Sequence, residues 1–218
     1  MKQDLTELVF ILDRSGSMGG LESDTIGGFN AMLAKQKAEP GEAMVTTVLF
    51  DDKYELLHDR IDLRAVSPIT DKEYFVRGST ALLDAVGSTI QKIAGAQKRT
   101  AEDYRADKVM FVITTDGMEN ASREYSYEKV KSMVEREKEK YGWEFIFRGA
   151  NIDAVETAER FGIDPDHSSI YHADHLGTAL NWSSVGAAVS SHRTDLGVAS
   201  NWKDELEEDF RKRKADRR

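Results

Sequence analysis

The residues best equipped for chemistry are Asp13-Arg14-Ser15-Gly16-Ser17, where a carboxylate and two hydroxyls stand at alternate positions around a glycine. A short turned loop with that spacing can aim all three oxygens at one point. Hard cations suit such a point. Mg²⁺ and Mn²⁺ take oxygen ligands at about 2.1 Å in octahedral geometry, and hydroxyls, carboxylates and water satisfy them without histidine or cysteine. The same residues also fit a capped turn in which Ser and Asp bond the N–H groups of a following helix. On this stretch alone the two readings stand level.

The elements that would position the loop follow from hydrophobic patterning. Leu8 to Leu12 is an unbroken apolar run, the pattern of a parallel strand covered on both faces. Leu21 to Lys37, with Ile26, Phe29 and Leu33 at helical spacing, is the helix after it, closed by Pro40-Gly41. Val45 to Phe50 predicts a second strand, and Tyr54 to Asp59 an antiparallel edge strand joined to it by a hairpin at Asp51-Asp52. An irregular stretch leads to Gly78-Ser79-Thr80, where a helix begins with Leu82, Leu83, Val86, Ile90 and Ile93 as its buried stripe. Val109 to Thr114 repeats the form of the first strand and runs into Thr115-Asp116-Gly117. Glu119-Asn120 and Ser122-Arg123, just beyond, fit a helix-capping loop.

The remaining elements are a helix over Ser126 to Tyr141, a strand over Glu144 to Arg148, a short helix over Ile152 to Phe161, a strand over Ser168 to Tyr171 and a helix over Thr178 to His192. Strands alternating with helices imply an α/β, doubly wound, mostly parallel six-stranded sheet with one antiparallel edge and helices on both faces. Ligands of such sheets bind beyond the carboxyl ends of the strands, where the strand order reverses. With the Leu8 and Val109 strands as neighbours across that reversal, Asp13, Thr80 and Asp116 meet at one crevice.

Asp13, Ser15 and Ser17, a distant Thr80 and a distant Asp116 resemble, in type and order, the metal-ion-dependent adhesion site of the von Willebrand factor A domain. The resemblance spans residues 5 to 193. It implies that Ser15 and Ser17 contact Mg²⁺ or Mn²⁺ directly, that Asp13 and Asp116 act directly or through water, and that Thr80 is an exchangeable ligand. It also implies a protein partner that offers an Asp or Glu carboxylate to the metal. Family members inside cells often work beside AAA+ ATPases or in large assemblies.

Composition narrows the alternatives. With 39 acidic and 30 basic residues the net charge is −9, which disfavours a general nucleic-acid surface. The absence of cysteine removes disulfides, thiol catalysis and thiolate metal sites. Neither a signal peptide nor a membrane span fits the charged start of the chain, so a cytoplasmic location is the expectation. The rival reading is a metal-dependent phosphoryl-transfer or nucleotide-binding enzyme on the same type of sheet. It needs a second aspartate where Ser15 stands, and the chain has neither a GxxxxGK[ST] loop nor a GxGxxG turn after the first strand. No enzymatic activity is therefore expected. His167, His172, Asp174 and His175 raise a second metal site, at a spacing that matches no zinc motif. The single domain is expected over residues 1–200, with 201–218 a charged tail, acidic then basic, that need not join the core.

Overall fold

The computed structural model describes residues 2–150, 152–194 and 197–216. Its order is β1 (Lys2–Asp13), α1 (Glu22–Ala38), β2 (Glu42–Phe50), β3 (Tyr54–Asp62), α2 (Leu82–Arg99), β4 (Ala106–Thr115), α3 (Tyr127–Tyr141), β5 (Glu144–Ala150), α4 (Ala154–Arg160), β6 (Ser168–Tyr171), α5 (His175–Arg193) and α6 (Asp204–Asp216). The six strands form one sheet in the order β3-β2-β1-β4-β5-β6. Among the described residues only the β2–β3 pair is antiparallel, at the edge, as the hairpin predicts. β1 and β4 are parallel neighbours with Leu12 opposite Thr114, so the strand order reverses between them and Asp13 and Asp116 leave the sheet side by side.

Both faces of the sheet are covered, which explains the unbroken apolar runs. Val9, Ile11, Phe111, Ile113, Phe145 and Phe147 pack under α2, α3 and α4. Leu8, Phe10, Met110, Val112 and Ile146 alternate with them and meet α1 and α5 on the other face. There Phe29 makes edge contacts with both Phe10 and Trp182, at ring separations of 5.3 and 5.5 Å. Gly28 lets α1 approach that closely, because a Cβ on it would fall inside the Trp182 ring.

The tail departs from expectation. Residues 204–216 are helical as α6, and Leu206 is fully buried in a cluster with Ala150 and Tyr171 at the β6 edge. Arg217 and Arg218 of the expected tail lie outside the described residues. Polar contacts fix the segment as well as apolar ones. Trp202 Nε1 donates to the Asp166 carbonyl at 2.9 Å, Lys203 Nζ to the Pro165 and Ser168 carbonyls, and Arg213 pairs with Asp174. The Trp202 ring also lies 4.8 Å from the guanidinium of Arg148, a fully buried side chain of β5 whose pKa burial pulls down to about 9. Average polarity hid these contacts, since one leucine and one tryptophan at the right positions suffice to seat a short helix.

Candidate metal centre

The loop after β1 turns through a short 3₁₀ segment, Gly16–Met18, and brings Ser15 Oγ within 3.0 Å of Ser17 Oγ. Thr80, just before α2, donates to Ser15 Oγ at 3.0 Å. Ser17 Oγ donates to Asp116 Oδ1 at 2.6 Å across a sequence separation of 99 residues. The three hydroxyls and the Asp116 carboxylate thus form one connected group at the carboxyl ends of β1 and β4. Asp13 stands beside it, 1 % exposed, accepting from its own loop at Ser15 N (2.7 Å) and from Thr115 Oγ1.

The surrounding contacts account for this convergence. Thr115 is the residue before Asp116 on β4, so its bond to Asp13 ties the two central strands together at the crevice. The Tyr74 hydroxyl, fully buried, donates to the Asp13 carbonyl. Asn120 holds Thr80 twice, accepting from Thr80 N at 3.0 Å and donating its own N–H to the Thr80 carbonyl at 3.1 Å. Glu119 accepts from Leu83 N in the first turn of α2 and from Ala121 N and Ser122 N, which makes it a cap for that helix and a brace for the loop after Asp116. That is the helix-capping role expected of Glu119, Asn120 and Ser122.

Arg14 was the inconspicuous residue of the motif, and it is completely buried. It points away from the hydroxyls, with Nε 3.2 Å from Asp51 Oδ2 and Nη2 2.6 Å from Glu55. Asp51 also accepts from Arg77 and from Lys53 N, and the neighbouring Arg77 and Arg14 charges hold its carboxyl below the usual range against its burial. Asp51 therefore does more than turn a hairpin: it anchors the loop after β1 through Arg14. Thr115, Tyr74 and Arg14 were not singled out for these roles by sequence. Thr115 could have been noticed as a hydroxyl adjoining Asp116, whereas Tyr74 sits in an irregular stretch that carries no signal.

Several features of the group fit a cation. Asp116 Oδ2 is buried and has no hydrogen-bond partner within the protein. Burial pushes the Asp13 carboxyl up to about 6, and the nearby Asp116 charge adds to the rise despite the bonds from Thr115 and Ser15; burial raises Asp116 too. Two desolvated carboxylates close together carry a cost that a divalent cation offsets. Space is reserved in front of them, since a Cβ on Gly117 would stand 2.9 Å from both Ser17 Oγ and Thr80 Oγ1. The donor set is two carboxylates and three hydroxyls, all oxygen, which suits Mg²⁺ or Mn²⁺.

The histidines do not assemble a second centre. His167 faces Glu144 at 3.4 Å, His175 bonds Asp24, and His172 stacks on Phe210, so their partners lie apart. Among the described residues no group of three or more His, Cys, Asp or Glu side chains could hold a metal.

No family model and no curated protein matches the chain. Solved structures do. The manganese-loaded TRAP protein of Plasmodium vivax is 18 % identical with a TM-score of 0.59, over 83 % of this chain and 73 % of that one. Proximal thread matrix protein 1 of the mussel byssus, with a zinc-occupied metal-ion-dependent adhesion site, is 14 % identical with a TM-score of 0.58, over 85 % of this chain. A von Willebrand factor type A protein from Catenulispora acidiphila is 14 % identical with a TM-score of 0.59, over 85 % of this chain. The chain spans 46 % of the mussel protein and 42 % of the Catenulispora one. The architecture is that of a von Willebrand factor A domain, a Rossmann-like sheet with five strands parallel and one antiparallel.

Proposed function

We propose that this domain is a metal-dependent protein-interaction module, with Asp13, Ser15, Ser17, Thr80 and Asp116 holding one Mg²⁺ or Mn²⁺. The observation that carries the proposal is the connected group of three hydroxyls and Asp116 at the point where the strand order reverses, with Asp13 buried beside it. When bound, the cation supplies a positive charge to which a partner's carboxylate can attach. The residues here determine how strongly. Ser15, Ser17 and Thr80 are neutral donors, so a site that relies on them leaves much of that charge for the partner. Thr80 is anchored through its backbone by Asn120, while its hydroxyl bonds only within the group, to Ser15 Oγ.

No nucleophile with an adjacent general base accompanies the group, so we assign the domain a binding role rather than catalysis. We further propose a cytoplasmic setting, on the cysteine-free composition, and a partner that presents an Asp or Glu, an AAA+ ATPase or a component of a larger assembly. Partner capture from the native cell tests the proposal. Binding should be lost in the presence of a chelator and lost equally in Thr80→Ala, whereas binding that survives both treatments would assign the interaction to another surface.

A further inference from the structure

A cavity of about 530 Å³ opens at the end of the sheet opposite the hydroxyl cluster, between the last turns of α2 and α3. Asp107, in its lining, stands nine residues before Asp116, so the two places are about 30 Å apart at ~3.3 Å per residue. The volume lies in the range of about 300 to 1,000 Å³ in which proteins hold small molecules. Strand alternation explains where it forms. Val109, Phe111 and Ile113 belong to the core under α2 and α3, and Asp107 continues their row on β4 past its last apolar residue.

The lining has an apolar part and a cationic part. Val109 and Trp143 are buried core residues, Ala94 is half-buried at the margin of the same cluster, and Tyr141 is 53 % exposed. Two aromatic rings thus border one cavity, a buried indole and an exposed phenol. Lys98, Arg105, Arg136 and Lys140 line it against Asp107 and Glu137, four cations to two carboxylates in a chain with 39 acidic and 30 basic residues. Glu137 is buried and paired with Arg136. The other three cations, among the described residues, meet no carboxylate: Arg105 donates to the Thr100 carbonyl, and Lys140 lies 5.3 Å from the Tyr141 ring. Helix ends account in part for Lys98 and Lys140. Arg105, just before β4, stands on neither helix.

We propose that this cavity binds a small aromatic carboxylate, independently of the metal centre. The ring lies against Val109, Trp143 and Tyr141, where its burial removes apolar surface from water on both sides. The carboxylate stays at the mouth with Lys98 and Lys140, both exposed, and with Arg105. Each half of the ligand is needed. A neutral molecule of the same shape forgoes the charge-assisted bonds, and a small anion without a ring forgoes the burial.

Calorimetric titration of the full chain with naphthoate, its neutral carboxamide and acetate as separate probes tests this, in the presence of chelator so that no metal-bound site competes for the carboxylate. Naphthoate should bind saturably and at least tenfold more tightly than either of the others. Replacing both Lys98 and Lys140 by Ala should weaken naphthoate at least tenfold while leaving the carboxamide unchanged. Ala94→Phe, which fills the cavity from α2, should abolish naphthoate binding. Circular dichroism checks that the variants fold, and the double lysine variant decides the matter should Ala94→Phe fail to do so. Absence of saturable naphthoate binding, equal affinity for the carboxamide, or naphthoate affinity unchanged in either folded variant would overturn the assignment.

Discussion

Arg14 Nε lies 3.2 Å from Asp51 Oδ2 with both side chains fully buried, so the loop after β1 is held by an ion pair inside the protein. Arg14 also donates to the Glu73 carbonyl and lies 5.4 Å from the Phe75 ring, which spreads its bonds over the irregular stretch before Thr80. The loop and the stretch that delivers Thr80 therefore share one anchor.

Removing Asp51 leaves the buried Arg14 guanidinium with the half-exposed Glu55 as its remaining carboxylate partner. Asp51→Ala should destabilise the domain by about 3 to 5 kcal/mol, as breaking buried pairs does. Arg77, partly exposed, loses its partner as well but can turn to solvent. Urea denaturation measures the change, and a loss below about 1 kcal/mol, the range of exposed pairs, would mean that the pair is screened.

Gly117 is the position most sensitive to a single methyl group. Its Cβ would stand 2.9 Å from Ser17 Oγ and Thr80 Oγ1, so Gly117→Ala should weaken Mn²⁺ binding at least tenfold with little change in far-ultraviolet circular dichroism. Unaltered affinity in calorimetry would show that the ion does not need those two hydroxyls where they stand.

The α6 segment should matter for stability. Leu206→Ala empties a fully buried position and should cost about 2 to 5 kcal/mol. Truncation after Lys203 should lower the melting temperature by at least as much as the point variant. A truncated chain that melts with the full one would return the tail to the exposed status that its composition suggests.

His58 gives a pH signature away from the metal centre. It is buried on β3 with Nδ1 3.0 Å from Thr47 Oγ1, and burial lowers its pKa below 6.5 although the Glu73 charge opposes the shift. The unfolded chain takes up a proton at about pH 6.5 and the folded one only at lower pH, so the unfolded state binds more protons in between and stability falls as the pH drops through that window. His58→Gln should therefore lose less stability than the wild type between about pH 7.5 and 5.5, the range in which histidine titrates. Equal losses in urea midpoint would place the titration elsewhere.

The sheet was legible in the sequence because its strands are covered on both faces, and unbroken runs such as Leu8 to Leu12 and Val109 to Thr114 suit few places in a fold besides a central parallel strand. Their ends were less so. β1 begins at Lys2 and β4 at Ala106, where polar residues continue the ladder beyond the apolar core. Within the candidate metal centre, the hydroxyls and carboxylates that the structure brings together were recognisable by type and spacing. Those that orient them were not, because Tyr74 and Arg14 act through contacts separated by dozens of residues, and such contacts leave no local pattern. The α6 helix escaped notice for a related reason: its hold on the core comes from Trp202, Leu206 and a few lysine and arginine contacts rather than from an apolar stripe.

One titration bears most directly on the metal centre. Calorimetry with Mg²⁺ and Mn²⁺ on the wild type should give one ion per chain, and saturating metal should raise its melting temperature, since a ligand that binds only the folded state stabilises it. Asp116→Ala, which removes the carboxylate whose Oδ2 is buried and unpartnered, should fold, bind no ion and show no metal-dependent rise. Equal stoichiometry and an equal rise in both proteins would contradict the assignment of the ion to this cluster.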